Sequence, residues 1–147
     1  MDDPVSDLAR DDAAVIIAEL LRALGARAVP DSGPIDLAAV ARVREHLAAY
    51  AHEQTPAAEL ERVAGLDRFT IARHFRRAYG TSPDRYRMLR RLERARAAIE
   101  RGVPLAAVAA ETGFADQSHM TRQFARAYGM SPGRWRSTAA APSHPPV

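Results

Sequence analysis

Apolar residues recur along this chain at three- and four-residue spacings rather than at every second position, the signature of helices with one buried face. Residues 12–28 set Ala13, Ile17, Leu20 and Leu24 on one side, flanked by Ile16 and Leu21, and Gly25, Pro30, Gly33 and Pro34 end the pattern. That makes 29–35 a linker. A second helix, about 37–51, places Leu37, Val40, Ala41 and Leu47 together. Thr55-Pro56 reads as an N-cap and first helical residue, with Glu59 in the first turn facing the positive end of the helix. Leu60, Val63 and Ala64 form its apolar stripe, and Gly65 supplies the positive φ of a tight turn between helices. Asp67 caps the next helix, which turns Ile71 and Phe75 inward and runs to Tyr79.

Ser82-Pro83 opens the longest helix, to Arg101, closed by Gly102; Tyr86, Leu89, Leu92 and Ile99 form its stripe, and Arg85, Arg87, Arg90, Arg91, Arg94 and Arg96 fill much of the rest. The pattern then returns. A helix at 105–112 carries Leu105, Val108 and Ala109, Gly113 makes a turn, Asp116 caps a helix with Met120 and Phe124 inward, and Ser131-Pro132 starts a short helix holding Trp135. The return is literal in places: Phe75-Arg76-Arg77-Ala78-Tyr79-Gly80-Thr81-Ser82-Pro83-Asp84-Arg85-Tyr86-Arg87 reappears 49 positions later as Phe124-Ala125-Arg126-Ala127-Tyr128-Gly129-Met130-Ser131-Pro132-Gly133-Arg134-Trp135-Arg136. Two similar helical modules in tandem follow. The expected organisation is all-α: an N-terminal helical segment and linker over 1–35, a first module with the long bridging helix over 36–103, a second module over 104–138, and a disordered, proline-rich tail over 139–147.

Charge adds direction to this picture. The net charge is only +3, yet residues 1–55 hold five arginines against ten acids and residues 56–138 hold sixteen against eight. Clustered positive charge on the repeated half suits a polyanion, since it attracts phosphates and releases their counterions; a merely solvated basic surface is the plain alternative. Every basic side chain other than histidine is arginine, whose fork matches phosphates and guanine edges, although alanine enrichment points equally to compositional bias. The chain has no cysteine, which excludes disulfides, thiolate nucleophiles and Cys-ligated zinc. Met1-Asp2-Asp3-Pro4 lacks the basic start of a signal peptide, and the longest apolar run, Ala13 to Ala18, is too short to span a bilayer, so a cytoplasmic protein is expected. His52-Glu53 begins an H-E-x-x-H pattern, but Pro56 stands where the second histidine belongs. No metal, cofactor or catalytic site is expected.

Each module therefore reads as helix, glycine turn, helix: 57–64, Gly65, 68–79, and 105–112, Gly113, 117–128. In a helix-turn-helix the first helix braces the second, whose exposed face enters the major groove. One such unit is a weak signal; two joined by a basic helix are a stronger one. The stretch Gly113-Phe114-Ala115-Asp116-Gln117-Ser118-His119-Met120-Thr121-Arg122-Gln123-Phe124, followed by Tyr128-Gly129-Met130-Ser131-Pro132, resembles the C-terminal signature of AraC/XylS-type bacterial transcription regulators, and Phe75 to Arg87 resembles the matching part of that family's first unit. The resemblance covers roughly 37–138. It implies a seven-helix domain whose two recognition helices enter successive major grooves on one face of double-stranded DNA, with RNA polymerase as a further partner.

Carried over by position, the resemblance assigns DNA contacts to Arg68, Phe69, Thr70, Ala72, Arg73 and Arg76 in the first unit and to Gln117, Ser118, His119, Arg122 and Gln123 in the second. These positions alternate with Ile71, Phe75, Met120 and Phe124, which puts them on the solvent face of each helix. Phe69 reads either as a contact to thymine methyls or as a partly buried packing residue, and Ala72 offers no hydrogen bond. His119 reads as a donor to a base or phosphate and His74 as a solvated side chain. Tyr79, Tyr86, Tyr128 and Trp135 read as core rather than base-stacking residues. The bridging helix, about 27 Å long, brings the recognition helices near the roughly 34 Å between successive major grooves. Residues 12–28 read either as a homodimer contact or as a helix packed on its own chain. Two other functions compete: an arginine-rich module binding an acidic protein, and a DNA-modifying repair protein, which the missing cysteine acceptor disfavours.

Overall fold

The structure, a computed structural model, describes residues 33–139. The segment 12–28, with the dimer contact read into it, and the tail beyond Ala139 lie outside the described residues. Ala139 itself closes a helix. Seven helices and no strand occur among the described residues: α1 (Leu37–Ala49), α2 (Ala57–Ala64), α3 (Arg68–Tyr79), α4 (Pro83–Glu100), α5 (Leu105–Glu111), α6 (Gln117–Tyr128) and α7 (Pro132–Ala139).

Side-chain caps start most of these helices by satisfying amide donors that have no intrahelical acceptor. Asp36 accepts from Ala39 N at 2.8 Å, Ser82 from Arg85 N at 3.2 Å and Asp116 from His119 N at 2.6 Å. Asp67 accepts from both Phe69 N and Thr70 N. The two bracing helices differ. Each starts from an extended proline, Pro56 (φ −60°, ψ 148°) and Pro104 (φ −55°, ψ 137°), without a side-chain cap, so α2 begins one residue later than the Thr55-Pro56 reading gives.

Among the described residues there are two cores, one per module. Ala39, Val40, Val43 and Leu47 of α1 meet Ala64, Ile71 and Phe75, with Leu60, Tyr79 and Tyr86 packed at the edge. Leu92, Ala95, Ala98 and Ile99 of α4 meet Val108, Ala109, Phe114, Met120 and Phe124, with Met88, Tyr128 and Trp135 against them. The bridging helix thus serves the first core through Tyr86 and the second from Met88 onward. That switch displaces Leu89, which is 41% exposed: it lies one position, about 100° of helix rotation, away from the Met88-Leu92-Ala95-Ile99 stripe. Leu37 is likewise exposed and Val43 takes its place in the core, because Val40, Val43 and Leu47 share the face turned to α3.

The duplication is visible in the aromatic packing. Phe75 meets Tyr79 at 4.7 Å and Tyr86 at 5.7 Å between ring centroids, and 49 positions later Phe124 meets Tyr128 at 4.5 Å and Trp135 at 5.9 Å. Such tilted and edge-on pairs add about 0.5–1.5 kcal/mol each beyond the area they bury. Tyr79, Tyr86, Tyr128 and Trp135 are half-buried and pack against the two cores, in keeping with a packing rather than a base-stacking part.

Several arginines are structural. Arg42 donates to Val63 O (3.0 Å) and Ala64 O (2.9 Å), closing the C-terminal end of α2. From α4, Arg94 donates to Ala48 O (2.7 Å) and Ala49 O (3.1 Å), and Arg91, buried, donates to Ala51 O and to Glu53 O (3.0 Å). Burial, together with the neighbouring Arg87, lowers Arg91 to about 10, still protonated at neutral pH. Arg136 donates to Val103 O at 2.6 Å. Helix C-termini present carbonyls and partial negative charge, which Arg42 and Arg94 answer, whereas Arg91 and Arg136 satisfy carbonyls of the loops that follow helices.

Candidate nucleic-acid interface

The second helix of each module turns an aliphatic-aromatic pair inward, Ile71 and Phe75 on α3 and Met120 and Phe124 on α6, and Gly80 and Gly129, at φ +69° and +74°, end the two helices alike. On α3, Arg68, Phe69, Ala72, Arg73 and Arg76 are exposed. Phe69 is 71% exposed, so it is not a packing residue; the Arg68 guanidinium lies 4.9 Å from its ring centroid. An aromatic plane with a cation stacked on it stands clear of the surface there. Thr70 is half-buried and donates its hydroxyl to Asp67 Oδ2 at 2.6 Å, while Arg73 reaches Thr70 Oγ1 at 3.5 Å. The Thr70 hydroxyl bond, followed by the backbone bonds, holds the Asp67 carboxyl below its usual range. An ionised Asp67 therefore occupies the positive end of α3.

On α6, Gln117, Ser118 and Arg122 are exposed and Gln123 is half-buried. His119 departs from the expected solvent face. Its ring sits edge-on to Phe114 at 5.5 Å, and its Nε2 is shut off from solvent with no hydrogen-bond partner. Burial is the main cause that lowers its pKa, aided by the nearby Arg122 and Arg91 and opposed by Asp116. The cause of the displacement is local geometry: Asp116 caps the His119 amide, which sets the first turn so that this side chain falls beside Phe114 rather than outward.

His74 is a second correction. It is buried, not solvated, and its Nδ1 accepts from Asp36 N at 3.3 Å, tying α3 to the start of α1. The partner is 38 residues away in sequence, so no local signal marks it. Among the described residues no group of three acidic, histidine or cysteine side chains is arranged to hold a metal, and no helix is long and apolar enough to cross a membrane. The arrangement offers two polar, arginine-bearing helix faces, one per module, joined by a single helix.

Residues 60–138 match the family model described as a helix-turn-helix domain. A probable AraC family transcriptional regulator from Rhodopseudomonas palustris CGA009 has the same fold, with a TM-score of 0.64 at 24% identity over 71% of this chain and 99% of that one. The chain belongs to the AraC-type helix-turn-helix family. The DNA-binding domain of AdpA, a global transcriptional factor solved in complex with a target DNA, matches this AraC-type domain at 27% identity with a TM-score of 0.64, over 71% of this chain and 97% of that one. YbfI of Bacillus subtilis (strain 168), an uncharacterised HTH-type transcriptional regulator, is 32% identical over 81 residues, which are 55% of this chain. The AraC-type chain spans 30% of the length of that relative.

Proposed function

We propose that this chain is a sequence-specific, double-stranded DNA-binding regulator of transcription that inserts α3 and α6 into successive major grooves. The observation that carries the reading is the pair of matching modules on one bridging helix, each presenting a polar recognition face, in a domain 27% identical to one solved on its target DNA. Family membership favours no enzymatic activity, and a cytoplasmic site of action with RNA polymerase as partner belongs to the same proposal.

Within the second unit, Arg122 is the proposed reader of a guanine edge, where its fork spans two acceptors, with Gln117 and Gln123 suited to adenine and Ser118 to either a base or a phosphate. In the first unit, Phe69 and Ala72 suit thymine methyls, and Arg68, Arg73 and Arg76 supply phosphate or guanine contacts. Thr70 acts through the Asp67 cap, since its hydroxyl is already engaged. His119 is proposed to position α6 rather than to touch a base.

The test is titration of the chain onto a duplex selected from a random pool and onto an unselected duplex of equal length, across a range of salt. The expected result is preference for the selected duplex and affinity that falls with salt in both cases. Equal affinity for the two, or salt-insensitive binding, would overturn the proposal.

A further inference from the structure

One glycine is set apart from its counterparts. Gly65, Gly80, Gly102 and Gly129 all have positive φ, and a Cβ built on any of them meets nothing within 4 Å. Gly113, in the turn between α5 and α6, has φ +83°, and a Cβ there would fall 2.1 Å from the carbonyl oxygen of His52, 2.7 Å from its carbonyl carbon and 2.8 Å from its Cα. His52 belongs to the other module, in the segment between α1 and α2. The two modules therefore touch backbone to backbone through a space that only a glycine leaves open.

The segment that presses on Gly113 is held from behind. Arg94 takes the Ala48 and Ala49 carbonyls and Arg91 those of Ala51 and Glu53, and Arg94 Nη1 also meets His52 Nδ1 at 3.2 Å. Ala51 is fully buried. Both arginines stand on the bridging helix, so the segment 48–53 is a wedge fixed to α4 and seated on the turn that precedes the second recognition helix. A bridging helix alone joins two lobes along one line and leaves bending about its ends; a second contact away from its axis removes that freedom.

We propose that the seat of the 48–53 wedge on Gly113 is a clasp that fixes the two recognition helices relative to each other, making Gly113, Arg91 and Arg94 determinants of box spacing rather than of base sequence. The clasp is a property of the free protein; its consequence for DNA rests on the function proposed above. On a two-box duplex a clasped protein has its second helix already in place when the first has bound, whereas an unclasped one must order it at each encounter.

The experiment uses the 147-residue chain carrying Ala72→Cys and Ser118→Cys, both exposed sites in a chain without native cysteine, spin-labelled for pulsed dipolar distance measurement. The expected result is a narrow distribution in the parent and a broadened or shifted one in both Gly113→Ala and Arg94→Ala. Gly65→Ala carries a similar backbone penalty without the clash and should keep the parent distribution. Should Gly113→Ala fail to fold, as judged by circular dichroism, Arg94→Ala decides. Distributions from the Gly113 and Arg94 variants that superimpose on the parent, or a Gly65→Ala distribution equally broadened, would overturn the clasp. On DNA, in the unlabelled chain with native Ala72 and Ser118, Gly113→Ala should bind a one-box duplex as the unsubstituted chain does and lose about tenfold on the two-box duplex; binding to both that matches the unsubstituted chain would overturn the spacing role. An unlabelled, unsubstituted chain that prefers no duplex would contradict the proposed function, while the distances would still decide the clasp.

Discussion

His119 and Arg122 lie one helical turn apart on α6 and have opposite fates, one turned against Phe114 and one exposed. For a base whose folded pKa is lowered, the unfolded chain binds the proton first, so stability falls as pH drops below the ordinary histidine value of 6.5 toward the depressed folded one. An NMR titration should therefore place the His119 midpoint below 6.5, and His119→Gln should flatten the stability profile in that window. Arg122→Ala removes a neighbouring cation and should move the midpoint upward; a midpoint at or above the ordinary value in the parent would contradict the buried ring. The same substitution should weaken specific binding by about 1–3 kcal/mol and relax specificity at one box, if Arg122 grips a guanine in bidentate fashion. Fluorescence titrations giving an equal loss on selected and random duplex would reduce it to a phosphate contact. Arg91 belongs to the other kind of arginine: Arg91→Ala strands the buried Ala51 carbonyl and should cost about 1–3 kcal/mol in a denaturant melt.

At the scale of elements, periodicity and capping residues located every described helix, because each depends on neighbours in sequence: Asp67 and Asp116 start α3 and α6, and the Phe75 and Phe124 repeat marks both cores. Expectations failed where a partner lies far along the chain. His74 accepts from the Asp36 amide across 38 residues, Arg91 reaches back 40 to Ala51, and nothing local separates such side chains from the solvated arginines beside them. His119 was misplaced for a different reason: alternation with Met120 and Phe124 fixes the outer face only to within a position, and the first turn follows the cap. Since Asp116 supplies that cap through the His119 amide, Asp116→Ala should cost about 1 kcal/mol of stability. Thermal unfolding checks this, and an unchanged midpoint would mean that the cap contributes nothing.

At the scale of the whole molecule, the proposed function requires the two modules to act as one reader of two boxes. The bridging helix of 18 residues is capped by Ser82 at one end and turned by Arg101 and Gly102 at the other, and each core closes on part of it. Its length, about 27 Å, leaves little slack against the roughly 34 Å between successive major grooves. Inserting about five base pairs, half a helical turn, between the boxes turns the second box to the opposite face of the duplex, where α6 reaches it only if the DNA twists or bends. The most direct measurement is affinity at fixed salt for the selected duplex with and without that insertion. The expected result is a fall to what a one-box duplex of the same length holds; an affinity unchanged by the insertion would show that α3 and α6 do not read as a unit.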